Sequence, residues 1–272
     1  CDDCSNGSYD TDSECNYDVT VDLHTGANLI SFNALPDDVS VSSIFGDDVI
    51  GIIGEGVGAI YLNGSWVGSL SEVAQDDGYW VKVTGDVSLL LSDAEPVNYD
   101  SDGEVNYAIH YGNNLVSYPF QSSQSVGDAL GDAAANVYAL AGEGVAALAI
   151  NGSFVGSLTD FEGGNGYWLV ATDDFDFNFN GVSDGLTRAK QTTLRTVPQA
   201  YRFAQSDQQS FFFINSATIM GKELTTDDII IAYNNDVIVG SRYWNGEYTD
   251  IPVMGVDTDS NQETVDYCAE GD

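Results

Sequence analysis

The feature that most constrains the fold of this chain is an internal duplication. The segment HTGANLISF, which begins at His24, recurs as HYGNNLVSY from His110, 86 positions later. The segment GEGVGAIYLNGSWVGSL, which begins at Gly54, recurs as GEGVAALAINGSFVGSL from Gly142, 88 positions later. Self-similarity of this kind predicts one structural unit that occurs twice, with a small insertion between the matching blocks.

Each copy has the pattern of short β-strands separated by turns. The Asn-Gly pairs at Asn63 and Asn151 lie between apolar runs, which is the signal for a two-residue hairpin whose turn needs positive φ. Residues 79–83 combine aromatic and β-branched side chains, as expected for a strand. Residues 39–45 and 126–135 are each predicted to form one short helix at equivalent places in the two copies.

The part of the chain from Tyr201 onward is unlike the repeat. Two apolar runs, residues 229–233 and 237–240, flank a polar Asn-Asn-Asp turn and predict a further hairpin. We therefore predict an all-β protein: two homologous small β modules with short helices, followed by a β-sandwich-like (immunoglobulin-like) third module. The predicted boundaries are an acidic, cysteine-bearing N-terminal segment at 1–20, module 1 at 21–97, an acidic linker at 98–106, module 2 at 107–183, a basic linker at 184–200 and an incomplete third module at 201–272.

The charge of the chain excludes two classes of partner. It carries 43 acidic and 7 basic residues, for a net charge of −36, so it would repel the phosphates of nucleic acid and of anionic membranes. No apolar run is long enough to predict a transmembrane segment. Four basic residues fall close together at Arg188, Lys190, Arg195 and Arg202; we interpret them as a solvated linker, with a patch for an acidic neighbouring subunit as the alternative.

The four cysteines lie only at the two ends of the chain, at Cys1, Cys4, Cys15 and Cys268. Their even number and peripheral placement predict disulfides formed in an oxidising compartment. Cys1 and Cys4 have CxxC spacing, but no second pair or nearby histidine completes a zinc site. Cys1 also fits a lipid anchor, and a chain trimmed to its mature start would look the same.

Acidic loops are the candidate metal sites, because calcium takes several oxygen ligands from alternating carboxylates and carbonyls. Calcium is therefore the one cofactor that the sequence suggests, and a solvated acidic loop is the alternative at each place. The candidate ligands are Asn98, Asp100 and Asp102 between the repeats, and Asp257, Asp259 and Asn261 near the end. The first loop lacks the glutamate of an EF-hand, because Ile109 occupies the twelfth position.

Three sequons match the N-glycosylation pattern, at Asn6, Asn63 and Asn151. Two of them fall on the predicted hairpin tips, where Asn-Gly is also ordinary turn chemistry. Turn chemistry is the preferred interpretation, and glycan attachment is the alternative.

The duplicated ionisable residues are interpreted as architecture rather than as catalytic groups. His24 and His110 occupy equivalent positions, with no cysteine or serine motif to complete a nucleophilic site, and each is expected to bond a neighbouring turn. Glu55 and Glu143 lie in separate modules between glycines, where a carboxylate is expected to accept backbone N–H bonds. The sequence therefore predicts that the protein is not an enzyme.

The repeated motifs GANLISF, ALPDDVSV, GEGV, WVGSL and GYWVKV together resemble tandem modules of large secreted proteins from bacteria that use type IX secretion. The segments QQSFFFI and ELTTDDIIIAYNNDVIVGSRYWNGEYTDIPVMG resemble a companion module of such proteins. The likeness begins at about Val21 and covers nearly the whole remaining chain. It implies an extracellular or cell-surface location, and brings no established activity and no catalytic residues.

In the proteins that it resembles, the chain continues beyond a segment like 267–272 into further β-structure. Either this chain is a processed product, or its third module lacks strands and has an open sheet edge. An open edge can be completed by a strand from another chain. We therefore predict a homo-oligomeric structural subunit of an extracellular filament, matrix or appendage. The alternative is an extracellular carbohydrate-binding or adhesion module with polysaccharide as its partner. Exposed coplanar aromatic rings would favour that alternative, and burial of the tryptophans (Trp66, Trp80, Trp168 and Trp244) would favour the scaffold.

Overall fold

The computed structural model describes residues 17–96, 105–181, 194–258 and 264–269. Its regular structure consists of antiparallel strands with a few short helical turns, so the predicted all-β class is confirmed. None of the helices in these ranges is long and apolar enough to cross a membrane.

Module 1 forms one five-stranded and one three-stranded antiparallel sheet. The larger sheet has the order β2-β7-β4-β5-β6 and the smaller one β1-β8-β3, with elements bounded as follows: β1 (Tyr17–Leu23), β2 (Gly26–Ser31), β3 (Ala34–Leu35), α1 (Val41–Ile44), β4 (Val49–Gly54), β5 (Val57–Leu62), β6 (Ser65–Gly68), β7 (Gly78–Val83) and β8 (Val87–Pro96). Strand β1 begins at Tyr17, ahead of the expected module boundary at residue 21, because it pairs along its length with β8.

Module 2 repeats this arrangement. Its five-stranded sheet has the order β10-β16-β12-β13-β14, strand for strand that of module 1, and two short pairs, β9-β17 and β11-β15, complete it. The elements are β9 (Tyr107–Ile109), β10 (Gly112–Ser117), β11 (Gln124–Ser125), α2 (Val126–Leu130), a 3₁₀ turn (Gly131–Asn136), β12 (Val137–Ala141), β13 (Ala146–Ile150), β14 (Ser153–Gly156), β15 (Asp160–Phe161), β16 (Gly166–Ala171) and β17 (Phe175–Phe177).

The predicted turns and helices of the repeat are confirmed. Asn63 and Asn151 have φ of 52° and 51° at the tips of the β5-β6 and β13-β14 hairpins. Each is followed by a glycine that also has positive φ, as a two-residue turn between twisted strands requires. Helix α1 lies within the predicted 39–45, and α2 with its 3₁₀ continuation covers the predicted 126–135.

One face of each five-stranded sheet packs on that module's own core. In module 1 this core includes Phe32, Ile52 and Tyr79, and in module 2 it includes Phe161 and Tyr167, all nearly inaccessible to solvent. The buried Tyr79 hydroxyl accepts the backbone N–H of Ala74, and the Tyr167 hydroxyl accepts that of Glu162. The other face of each sheet is therefore available for contacts with the other module or with the third segment.

The third segment consists of three antiparallel pairs, β18-β23, β19-β20 and β21-β22. The hairpin predicted from the apolar runs at 229–233 and 237–240 is confirmed as β21-β22, and β22 packs across β23 over a small core that includes Val239, Met254 and Tyr267. The elements are a 3₁₀ turn (Gln199–Tyr201), β18 (Gln209–Ile214), β19 (Thr218–Ile219), β20 (Lys222–Glu223), β21 (Ile229–Asn234), β22 (Val237–Tyr243) and β23 (Thr249–Met254).

Candidate functional site

The two modules face each other across a shared apolar layer. Leu29 and Trp80 of module 1 pack with Leu115 of module 2, each at most 4% exposed, and Trp168 closes the layer from the module 2 side. Leu29 and Leu115 are equivalent residues of the repeat, as are Trp80 and Trp168. The interface is therefore close to symmetric.

Backbone contacts across this interface are reciprocal. The Ser31 N–H donates to the Gly164 carbonyl at 2.8 Å, and its counterpart, the Ser117 N–H, donates to the Asp76 carbonyl at 3.0 Å. These bonds tie the end of β2 to module 2 and the end of β10 to module 1.

Two equivalent glycines allow the strands to approach this closely. A Cβ atom at Gly166 would lie 2.6 Å from the Ile30 carbonyl oxygen, and one at Gly78 would lie 2.9 Å from that of Val116. Both distances are too short for any side chain, so glycine is required at the start of β7 and of β16.

Each histidine of the repeat is paired with the glutamate of the opposite module. His24 Nε2 lies 2.5 Å from Glu143 Oε1, and His110 Nε2 lies 2.6 Å from Glu55 Oε1. The second oxygen of each carboxylate accepts a backbone N–H of the same module as the histidine: Leu29 at 3.0 Å for Glu143, and Leu115 at 2.8 Å for Glu55. Each glutamate therefore joins a ring and a strand of the other module.

The geometry favours the protonated form of both rings. Nδ1 of His24 lies 2.9 Å from the Thr25 carbonyl and Nδ1 of His110 lies 2.9 Å from the Tyr111 carbonyl, so both nitrogens of each ring face oxygen acceptors. The hydrogen bond to Glu143 is the main cause that raises the pKa of His24 to about 9, against a smaller opposing effect of burial. The pKa of His110 is also raised, by the Tyr111 carbonyl and then by Glu55.

This arrangement ties the modules together and leaves no ring nitrogen available to take a proton from a substrate. The expectation that each histidine bonds a neighbouring turn is met by Nδ1 alone, whereas Nε2 reaches across the interface. The expectation that each glutamate accepts a backbone N–H is also met, but the donors, Leu29 and Leu115, belong to the other module. The sequence interpretation treated the four residues separately and missed their pairing.

The third segment is attached to module 2 at its Gly142-Glu143-Gly144 turn. Gln209 Nε2 donates to the Gly142 carbonyl at 2.8 Å, and Gln209 Oε1 accepts the Gly144 N–H at 3.1 Å. Arg242 Nη2 donates to the Gly144 carbonyl at 2.5 Å. The turn that carries Glu143 is therefore held from its outer side.

A buried ion pair completes this attachment. Arg242 Nη2 lies 3.3 Å from Asp250 Oδ2, and the same carboxylate oxygen accepts the Ser157 hydroxyl of module 2 at 2.7 Å. Asp250 is 1% exposed, and burial raises its pKa despite the opposing charge of Arg242.

The third segment also contacts module 1 through a second buried pair. Lys82 Nζ of β7 lies 2.9 Å from Asp257 Oδ2, with 10% of the lysine side chain and none of the aspartate side chain exposed. Burial acts to raise the pKa of Asp257, but hydrogen bonds from Lys82, the Asp207 N–H and Ser206 outweigh it and lower the pKa below its ordinary value.

Sequence reasoning missed this pair, although a signal was present. Lys82 is the only lysine or arginine among the first 187 residues, and its counterpart in module 2 is Val170. A cation in a mostly apolar strand of one copy alone indicates a contact that the other copy does not make.

The predicted calcium ligands are mostly outside the described residues. Asp257 is the exception, and its carboxylate faces the Lys82 ammonium. Within the described ranges, no cluster of three or more histidine, cysteine or acidic side chains is arranged to hold a metal ion. Calcium binding stays a prediction for the loops at Asn98, Asp100, Asp102, Asp259 and Asn261, all of which lie outside those ranges.

Only some of the residues predicted to form disulfides or to carry glycans lie within the described residues. Cys268 is half-buried beside the third segment's core and is the one cysteine in the described residues, since Cys1, Cys4 and Cys15 lie outside them. Asn63 and Asn151 are exposed at hairpin tips, and Asn6 lies outside the described part. Both modifications stay predictions.

A surface groove of about 310 Å³ lies where module 1 meets the start of module 2. Leu35, Val39 and Val73 form its apolar wall, and Asp76 is the only ionisable residue among those that line it. A single carboxylate without a nucleophile or a second acid–base group does not form a catalytic constellation.

The chain was compared with known proteins in three ways, and it matches no family model, no curated protein and no solved structure.

Proposed function

We propose that this chain is a non-enzymatic structural subunit of an extracellular filament, matrix or cell-surface appendage. The observation that carries the proposal is that the ionisable side chains of the candidate site form contacts between modules, while among the described residues one apolar sheet face is exposed to solvent. The histidines, the repeat glutamates, Lys82 and Arg242 all form contacts between modules or segments. An extracellular location is supported by the resemblance to secreted modules and by the terminal cysteines.

The uncovered face belongs to the β5-β6 hairpin of module 1. Ile60, Leu62 and Val67 are 51%, 52% and 56% exposed. Ile60 lies directly opposite Val67 in the ladder, and Leu62 lies two positions along on the same side. We call Ile60, Leu62 and Val67 the open face.

Strand β6 is also the edge of its sheet. An exposed apolar edge is a site where another strand can add, and soluble proteins usually protect such edges with charge, bulges or a covering segment. Clustered exposed apolar side chains of this kind mark surfaces of interaction. Assembly through strand addition or end-to-end contact at this edge therefore fits the molecule.

The carbohydrate-binding alternative has less support. Trp80 and Trp244 are 4% and 8% exposed, and Trp66 and Trp168 are half-buried against the cores. A sugar-binding platform needs paired aromatic faces open to solvent. The most exposed rings of the described residues, Tyr111, Tyr138, Phe212 and Tyr233, form no ring pair with one another there.

The proposal is tested by electron microscopy and sedimentation of the purified protein across a range of concentration and salt. We expect assemblies with a regular repeat, and we expect Ile60→Lys to abolish them because it places a charge at the centre of the open face. The matched control is Leu90→Lys, since Leu90 is 62% exposed on β8, away from that face. Wild-type protein that sediments as a monomer under all conditions would reject the proposal, as would equal assembly of the two variants.

A further inference from the structure

The two modules carry equivalent sheet faces, and only one of them is covered. The counterparts of the open-face residues in module 2 are Leu148, Ile150 and Val155, each 88 positions later, and all three are half-buried. We call these three residues the covered face. The third segment adjoins it, because the Phe213 ring lies so close to Gly156 that a Cβ there would be 2.9 Å from Cε1.

The third segment recognises module 2 through a small set of polar groups. On the module 2 side these are the Gly142 carbonyl, the N–H and carbonyl of Gly144, and the Ser157 hydroxyl. The third segment supplies a glutamine amide, an arginine guanidinium and the Asp250 carboxylate. The contact is thus specific in its hydrogen bonds as well as apolar.

Module 1 presents the same groups in the same local geometry. Gly56 has φ of 68° and Gly144 has φ of 64°, so both turns have the same left-handed form. The Ser69 hydroxyl oxygen accepts the Gly58 N–H at 3.2 Å, as the Ser157 oxygen accepts the Ala146 N–H at 3.2 Å.

These groups on module 1 have no occupant within the described residues. Neither the N–H nor the carbonyl of Gly56 forms a hydrogen bond there, and the Ser69 hydroxyl proton has no acceptor. Gly56 and Ser69 are exposed, whereas Gly144 and Ser157 are half-buried. The polar groups that bind the third segment on module 2 are therefore also present on module 1, where no described residue binds them.

We propose that the open face of module 1 is the docking site of a second β domain built like the third segment of this chain and carried by another subunit. That domain would place a glutamine and an arginine on the Gly54–Gly56 turn, a carboxylate on Ser69, and an aromatic ring beside Gly68, the counterpart of Gly156. The inference rests on the proposed structural role and names the kind of partner that the open face takes.

A second copy of module 1 is the weaker occupant. Face-to-face pairing would supply no guanidinium for the Gly56 carbonyl, since module 1 contains no arginine. An arginine-bearing β domain satisfies both the apolar and the polar groups of the site.

The test uses the full chain as the source of both site and partner. Ser157→Glu places a second carboxylate against the buried Asp250, which should release the third segment from the covered face. We expect hydrogen exchange of β13 and β14 to accelerate. With rising protein concentration we expect exchange of β5 and β6 to slow by about tenfold, as released third segments take the open face.

Two further variants make the result specific. Ser157→Glu with Ser69→Glu should release the third segment in the same way but leave β5 and β6 unprotected, because the site on module 1 then carries the same repulsive charge. Ser153→Glu adds an equal charge to the exposed start of β14 without facing Asp250, and should leave exchange of β13 and β14 unchanged.

Three outcomes would overturn the inference. Release without any slowing at β5 and β6 would show that the open face does not take such a domain. Equal slowing in the double variant would place the contact elsewhere. Unchanged exchange of β13 and β14 in Ser157→Glu would show that the contacts that define the site are not those that hold the domain. These results are independent of whether the wild-type chain forms filaments, so they separate this inference from the proposed function.

Discussion

His24 and His110 each hold both ring nitrogens against oxygen acceptors, and each is tied to a glutamate of the opposite module. A neutral imidazole has only one N–H and would leave two lone pairs facing each other at one of these contacts. The protonated ring satisfies both. The charge state of two side chains therefore affects how firmly the modules are joined.

This link makes stability depend on pH in the alkaline range. The pKa of His24 is raised from 6.5 to about 9 in the folded protein, so its contribution is fully present below pH 6.5 and is lost as pH rises through 9. Because the ring is half exposed, we discount the contribution to about 1 kcal/mol. Urea unfolding at pH 7 and pH 10 should show that Glu143→Gln narrows the difference in unfolding free energy between the two pH values. An equal pH dependence in wild type and variant would show that the pair does not contribute.

The repeat glutamates and histidines illustrate what the sequence could predict about the site. Their duplication indicated architecture, and Glu55 and Glu143 do accept backbone N–H groups, as their positions between glycines led us to expect. Their reciprocal pairing could not be read from either copy alone, because each pair takes one residue from each copy. A contact between the two modules therefore produces no repeated pattern in the sequence.

Among the structural elements, the strands of the repeat were the most predictable. The Asn-Gly turns fix the β5-β6 and β13-β14 hairpins locally, so neighbouring residues contain the whole signal. The insertion of β7 between β2 and β4 was not predictable in this way, because it pairs residues far apart in the chain. Nor could the sequence show that the backbones of β22 and β23 lie very close to each other at Gly240 and Pro252.

That close approach yields a prediction at Gly240. A Cβ atom there would lie 1.6 Å from the Pro252 carbonyl oxygen, so Gly240→Ala requires β22 and β23 to separate. We expect a loss of about 3 kcal/mol in unfolding free energy, measured from the denaturant midpoint. Gly46→Ala is the matched control, since a Cβ at Gly46 meets nothing within 4 Å. Similar midpoints for the two variants would contradict the close approach.

For the whole molecule, the buried Lys82–Asp257 pair connects the first module to the last segment. Lys82→Met leaves the Asp257 carboxylate buried without its cation, and we expect a loss of about 3 kcal/mol. The double variant Lys82→Met with Asp257→Asn should recover most of that loss, because no unpaired charge remains. Thermal unfolding of the two variants measures the difference. A double variant as unstable as the single one would show that packing of the lysine stem, rather than charge, is what matters.

The reciprocal interface between the two modules has a further consequence when the protein is dilute. Two separate copies of one module that met through the same bonds would come apart on dilution, because their association depends on concentration. Joined in one chain, the two halves meet at an effective concentration set only by the connecting residues. The paired unit therefore stays intact at any dilution, and only contacts made with other molecules respond to how much protein is present.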